Sequence, residues 1–128
     1  MKGAYILIIF LNVRKMIKIN KKIIDFKKGY YCYVGSALNS LEKRIQRHYS
    51  TKKKKHWHID YFLEYGKIIE SISIETNKKI ECIISNKLRK KADNSVKGFG
   101  SSDCRCESHL YYFKDNPTEP LFPFLCLK

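Results

Sequence analysis

The chain has 128 residues, of which 44% are hydrophobic, and this length and composition predict one compact domain with a single apolar core. Lysine and arginine number 26 against 12 aspartates and glutamates, so the formal net charge at pH 7 is +14. The length excludes a second independent domain, and the charge exceeds what solubility requires, which indicates a polyanionic partner.

The first predicted element is a strand over residues 4–11, where apolar side chains follow one another without interruption. Many of these residues are β-branched or aromatic, as is typical of a strand buried on both faces. The run is too short to span a bilayer, and no small-residue cleavage site follows it. We therefore expect neither a membrane anchor nor an export signal.

A β-hairpin is expected next, because residues 16–19 and 22–26 combine apolar residues with lysine on either side of a turn at residues 20 and 21. A further strand covers residues 30–34 and ends at Gly35. These early strands predict a sheet that is at least partly antiparallel.

The remaining elements follow from apolar periodicity and from capping residues. In chain order they are a helix capped by Asn39 or Ser40 with Leu41, Ile45 and His48 on one face, a short helix that turns Trp57 and Tyr61, with Phe62 or Tyr65 beside them, to the core, and a strand over residues 67–74. A helix over about residues 79–91 follows, capped by Thr76 or Asn77 with Ile80, Ile83, Ile84 and Leu88 inward, and then a closing strand over residues 110–113. Together they predict an α+β domain over residues 1–128, in which a small antiparallel or mixed sheet is flanked by helices. A region rich in glycine and cysteine begins at about residue 98 and leads into an irregular tail.

The most specific stretch of the sequence is Tyr33-Val34-Gly35-Ser36-Ala37, which is followed by Arg44 and His48. The spacing of four places this guanidinium and this imidazole on the same side of the predicted helix. Together with Gly3-Ala4-Tyr5 in the first strand, the pattern resembles the GIY-YIG nuclease superfamily. Nucleases of that superfamily carry an arginine, and often a histidine, on the helix after the second tyrosine motif.

The resemblance extends over nearly the entire chain, which is similar to a small, stand-alone, mostly archaeal branch of the superfamily. The further matching stretches are His56-Trp57-His58-Ile59-Asp60-Tyr61, Glu81-Cys82, Gly98-Phe99-Gly100-Ser101-Ser102-Asp103-Cys104 and Ser108-His109-Leu110. The resemblance implies a metal-dependent phosphodiesterase with Mg²⁺ or Mn²⁺ as cofactor and Glu81 as the metal ligand.

The residue types suit this chemistry, since phosphodiester cleavage needs a proton acceptor, positive charge on the phosphate and help for the leaving oxygen. Tyr5 and Tyr33 can present hydroxyls from neighbouring strands, and Arg44 can grip a phosphate. His48 can move a proton, and His58 can orient the water or protonate the leaving group. We expect these five residues to be catalytic.

Nucleic acid is the expected partner, with DNA favoured and RNA as the alternative. Lys52, Lys53, Lys54 and Lys55 form a cluster that a general bias of the composition towards lysine does not explain. With Arg47 they are the expected phosphate contacts. His56 and Asp60 lie one helical turn apart, and this pair has two interpretations, a surface contact or an additional functional group.

The five cysteines form an odd set without an export signal, so we expect reduced thiols and a cytoplasmic location. Cys104, Cys106 and His109, with Cys82 as a further ligand, have the ligand types of a structural zinc site. Their spacing is irregular for such a site, and buried thiols are the favoured interpretation.

Three function classes follow from these observations. The first is a metal-dependent endonuclease that acts on DNA or RNA in repair or processing. The second is a non-catalytic nucleic-acid-binding module with the same fold, and the third is a zinc-stabilised adaptor. Convergence of Tyr5, Tyr33, Arg44, His48 and Glu81 on one cleft favours the first class.

Overall fold

A computed structural model describes residues 2–19, 21–55, 57–100 and 108–118. Its strands are β1 (Gly3–Leu11), β2 (Lys15–Ile19), β3 (Lys22–Phe26), β4 (Gly29–Ala37), β5 (Lys67–Glu75), β6 (Asn94–Ser95) and β7 (Leu110–Phe113). Its helices are α1 (Leu41–Tyr49), α2 (His58–Phe62) and α3 (Glu81–Lys91). The predicted α+β fold is confirmed, and β6 is an element that the sequence did not predict. No helix among these residues is long and apolar enough to cross a membrane.

The main sheet has five strands in the order β5-β1-β4-β7-β6, and each neighbouring pair is antiparallel. Strand β1 lies inside this sheet, and its alternate residues enter two different apolar clusters. Ile6 and Ile8 belong to one cluster, and Leu7 and Ile9 belong to the other. The prediction of a first strand buried on both faces is therefore confirmed.

The predicted hairpin forms a separate two-stranded sheet from β2 and β3. Ile17, Ile19 and Phe26 point from this hairpin into the same cluster as Ile59 and Phe62 of α2. The hairpin, α1 and α2 thus cover one face of the main sheet, whereas α3 packs on the other face. The face under α1 carries the side chains of the candidate site.

Helix α2 confirms the predicted core face in part. Ile59 and Phe62 are fully buried, whereas Trp57 and Tyr61 are partly buried and pack against the same cluster. Trp57 precedes the helix in an extended conformation. The sequence did not predict the burial of Ile59.

Helix α3 also departs from the sequence prediction, because it begins at Glu81 without a side-chain cap from Thr76 or Asn77. Ile83 was expected to be buried but is 56% exposed. Ser85 occupies the core instead, since its hydroxyl donates to the carbonyl of Ser108 at 2.7 Å. Ile84 and Leu88 are buried as predicted.

Candidate active site

Tyr5 lies in the middle of the sheet and depends on the glycine opposite to it. Strand register pairs Tyr5 with Gly35, and a Cβ atom on Gly35 would lie 2.4 Å from both Cζ and the hydroxyl oxygen of Tyr5. No other residue can therefore occupy position 35 without displacing the tyrosine ring. The glycine that ends the second tyrosine motif is thus explained by steric exclusion.

The hydroxyl of Tyr5 is 2.6 Å from Nε2 of His48, which joins β1 to the last turn of α1. Tyr5 is 1% exposed and His48 is 2% exposed. Burial is the main reason that the pKa of His48 is lowered to about 4; the negative charge of Asp60 opposes this shift, and the charges of Lys53, Arg47 and Arg44 add to it. Burial raises the pKa of Tyr5. At neutral pH both groups are therefore uncharged.

Tyr33 stands beside this pair and is more accessible. Its ring centroid is 6.5 Å from that of Tyr5 and 6.0 Å from that of His48. Burial raises the pKa of Tyr33, and the negative charge of Glu81 raises it further. The partly buried hydroxyl of Tyr33 thus keeps its proton at neutral pH.

Arg44 extends from α1 towards the two tyrosines. Its Nη1 donates to the carbonyl oxygen of Ser36 at 3.1 Å. The guanidinium lies close enough to Tyr5 to oppose the effect of burial on the pKa of that hydroxyl. Arg44 therefore supplies the positive charge beside the tyrosines that its spacing in the sequence predicts.

Trp57 lies between the two arginines of α1, and sequence reasoning did not assign it this position. The guanidinium carbons of Arg44 and Arg47 lie 4.6 Å and 4.4 Å from the centroid of its ring. Arg47 also donates two hydrogen bonds of 3.0 Å to the buried carboxylate of Asp60, which accepts from the backbone N–H of Trp57 at 2.9 Å. Three residues, Asp60, Arg47 and Trp57, thus hold the Arg44 guanidinium in place.

Arg44 and Arg47 have different roles, which their spacing in the sequence does not reveal. Arg47 donates hydrogen bonds to Asp60 and to the carbonyl oxygen of Lys54, each at 3.0 Å. Both terminal nitrogens of its guanidinium therefore have partners within the protein. Its assignment to nucleic-acid binding stays a prediction. Asp60 faces Arg47, and the proposed partner His56 lies outside the described residues.

Glu81 begins α3, and its side chain is 33% exposed. Burial is the main cause of the raised pKa of both Tyr5 and Tyr33, and the negative charge of Glu81 adds to it. His109 lies 4.0 Å from this carboxylate, with Nδ1 3.2 Å from the carbonyl oxygen of Val34. The sequence suggested His109 only as a zinc ligand, whereas the fold places it next to the proposed metal ligand.

The donor set around Glu81 can be compared with the needs of a metal ion. Among the described residues no group of three or more His, Cys, Asp and Glu side chains forms a metal site. One accessible carboxylate fits Mg²⁺ or Mn²⁺, because Mg²⁺ keeps several of its water ligands. A structural zinc ion needs four protein ligands, and the predicted Cys104 and Cys106 lie outside the described residues. Cys32 is a buried free thiol.

His58 lies at the start of α2. Its Nδ1 accepts from the backbone N–H of Gly100 at 3.1 Å, and its ring is 5.5 Å from that of Phe99. Phe99 also contacts Tyr33, with 6.3 Å between the ring centroids. His58 therefore contacts two residues, Phe99 and Gly100, that lie beside Tyr33.

The lysine cluster is not uniform in the structure. Lys53 donates to the carbonyl oxygens of Arg47, His48 and Ser50 at 3.2, 2.9 and 2.7 Å, so it caps the C-terminal end of α1. Lys55 pairs with Glu64 at 3.2 Å. Lys52 and Lys54 are exposed, and they are the members of the cluster best placed for a polyanion.

The candidate site thus joins Tyr5, Tyr33, Arg44, His48 and Glu81, with the unforeseen neighbours Trp57 and His109. No curated protein and no solved structure is significantly similar to the chain. A family model does match, and it covers residues 4–122, which include every one of these side chains. The chain therefore belongs to the family described as domain of unknown function DUF123.

Proposed function

We propose that the chain is a metal-dependent endonuclease that hydrolyses phosphodiester bonds of nucleic acid, with DNA as the first expectation and RNA as the alternative. One observation carries the proposal: two tyrosines from β1 and β4 lie together with an arginine and a histidine from α1, and α3 begins with a carboxylate whose charge acts on both tyrosines. The resemblance to GIY-YIG nucleases supports it as well.

The protonation states of Tyr33 and Tyr5 suggest a different catalytic role for each. Tyr33 keeps its proton and is partly accessible, so it can donate a hydrogen bond to the substrate phosphate or a proton to the leaving oxygen. Tyr5 and His48 are buried beneath it. A proton from the attacking water can reach the neutral His48 imidazole through Tyr5 only in a conformation that opens the Tyr5 hydroxyl to solvent, and Tyr33 then recovers its own proton from solvent.

Arg44 and the metal site would stabilise the negative charge that develops on the phosphate. Arg44 is held by Trp57 and by the carbonyl of Ser36, and a preorganised guanidinium acts strongly on the negative charge that develops on phosphate oxygens. Glu81 is the residue that would hold Mg²⁺ or Mn²⁺, and the bound ion supplies positive charge and a water of lowered pKa.

The alternative function is a nucleic-acid-binding module without catalysis. The burial of Tyr5 and His48 favours it, because neither side chain can touch a substrate in this conformation. In that case Arg44 and Tyr33 would only contact phosphate. Divalent-dependent cleavage separates the two functions.

The test is incubation of the purified chain with duplex, single-stranded and branched substrates, with and without Mg²⁺ or Mn²⁺. At saturating substrate and metal, Arg44→Ala is expected to lower the cleavage rate by on the order of 10²-fold, since charge stabilisation in the transition state is lost. Arg89→Ala is the matched control, because Arg89 is an exposed arginine on α3 that contacts Asn86. Equal rates for the wild type and Arg44→Ala would contradict the proposal.

A further inference from the structure

A cavity adjoins the candidate site at His48. It has a volume of about 720 Å³ and lies between the end of α1, the lysine loop, the end of α2 and the start of β5. His48 belongs both to this cavity and, through its contact with Tyr5, to the candidate site. A volume within roughly 300–1,000 Å³ is usual for binding sites of small organic groups.

The lining of this cavity contains an unusual pair of aromatic residues. Among the aromatic side chains that the structure describes, only Tyr49 and Tyr65 are exposed, at 51% and 47%, and both line the cavity. Other contacts restrain them, because the Tyr49 hydroxyl lies 3.4 Å from Ser71 Oγ and the Lys15 ammonium lies 4.8 Å from the centroid of the Tyr65 ring. Two restrained but exposed rings offer faces for stacking.

The charges around this Tyr49–Tyr65 cavity favour an anion. Its lining contains three lysines and two carboxylates, and both carboxylates already have cationic partners. Asp60 is held by Arg47, and Glu64 is paired with Lys55. Lys67 is exposed at the edge of the cavity, and Thr51 adds a hydroxyl donor.

We propose that the Tyr49–Tyr65 cavity binds one unpaired nucleotide of a nucleic-acid substrate. Its base stacks on the two tyrosine rings, and its phosphate faces Lys67 and the hydroxyl of Thr51. Aromatic stacking together with a basic rim is the usual basis for binding single-stranded nucleic acid, and it works with any base. The proposal rests on the proposed nuclease function for the identity of the partner, and it deepens that function by naming the substrate class. Substrates with an unpaired nucleotide next to a duplex would be selected.

Binding can be measured without cleavage, in EDTA, by fluorescence anisotropy. The two probes are a fully paired DNA duplex and the same duplex with one unpaired nucleotide in its centre. We expect the wild type to bind the second probe about tenfold more tightly, because stacking contributes only there. The double variant Tyr49→Ala, Tyr65→Ala should lose this preference and keep its affinity for the paired duplex.

Two controls distinguish stacking from other effects. Tyr49→Phe combined with Tyr65→Phe keeps both rings and should keep the preference. Ile83→Ala removes an exposed apolar side chain from α3 and should change nothing. A 2-aminopurine base at the unpaired position should be quenched by the wild type and not by the alanine double variant.

The outcomes separate this proposal from the proposed function. Equal affinity of the wild type for both probes, or a preference that survives loss of both rings, would overturn the proposal for the cavity. Metal-dependent cutting of the same probes would then still support the nuclease. A preference without any cleavage in Mg²⁺ or Mn²⁺ would support the cavity and overturn the nuclease, and lack of binding to either probe would overturn the proposal for the cavity.

Discussion

His48 is a histidine that the fold keeps uncharged. Its pKa is about 4, compared with 6.5 for an unrestrained imidazole, because burial disfavours the charged form. Among the described residues its Nδ1 has no hydrogen-bond partner, which adds to the cost of protonating the ring. The unfolded chain therefore binds a proton at a higher pH than the folded chain does.

Stability should consequently depend on pH through this one residue. Above about pH 6.5 both states hold His48 neutral, and its protonation costs the folded state nothing. As the pH falls from about 6.5 to about 4 only the unfolded state gains the proton, so the free energy of unfolding should drop by up to about 3 kcal/mol and level off below that range. Urea unfolding at a series of pH values measures this.

The matched variant for this experiment is His48→Gln, which keeps a polar group near Tyr5 and cannot titrate. The difference in stability between the wild type and this variant should shrink or change sign between pH 6.5 and pH 4. A difference that stays constant over this interval would contradict a lowered pKa for His48. The comparison removes the effects of the carboxylates, since they titrate in both proteins.

Trp57, which immediately precedes α2, links that helix to α1. We call the cluster of Trp57, Asp60, Arg44 and Arg47 the clamp. Asp60 of α2 holds Arg47 of α1, and Trp57 packs between Arg47 and Arg44. The interaction of a guanidinium with an aromatic face contributes roughly 0.5–2 kcal/mol, depending on its exposure to solvent. The clamp therefore positions Arg44 for phosphate and joins the two helices.

Replacing this aromatic face should affect turnover more than binding. We expect Trp57→Leu to lower kcat by about tenfold with little change in KM, because Arg44 keeps its charge but loses its fixed orientation. Trp57→Phe retains a ring and should restore most of the rate. Steady-state kinetics with thermal unfolding as a second measurement checks this, and a variant that loses stability but keeps its kcat would show that Trp57 is only structural.

At the scale of the whole molecule, the net charge of +14 should govern association with nucleic acid. Each phosphate contact releases condensed counterions, so the logarithm of the affinity falls linearly with the logarithm of the salt concentration. Lys52 and Lys54 are exposed, whereas Lys53 caps α1 and Lys55 is paired with Glu64. The four lysines of the cluster should therefore contribute unequally to the salt dependence of binding.

The double variant Lys52→Ala, Lys54→Ala should reduce the slope of this salt dependence by about 2, and it should leave thermal stability unchanged. Lys90→Ala combined with Lys91→Ala, in the last turn of α3, removes the same charge as a control. Titrations at several salt concentrations give the slopes. An equal reduction in both double variants would contradict a localised contact and indicate a diffuse effect of net charge.

Local sequence patterns were sufficient to predict most elements of this molecule. An unbroken apolar run gave β1, the spacing of Leu41 and His48 gave the buried face of α1, and Ser40 caps that helix as expected. The buried face of α3 was predicted wrongly at Ile83, and the burial of Ile59 in α2 was not predicted. Those two helices are short or weakly amphipathic, so distant partners decide their orientation.

The sequence by itself determined the α+β class, the order of the predicted elements and the residue types of the candidate site, because these depend on neighbours a few positions apart. Only the tertiary structure decided that Tyr5 and His48 form a buried, neutral pair, that Arg47 is held by Asp60, and that Tyr49 and Tyr65 line one cavity. Protonation and pairing depend on burial and on charges brought together by folding. The partners of Tyr5, Arg47 and Tyr49 lie between 13 and 43 positions away along the chain, beyond the range of any local pattern.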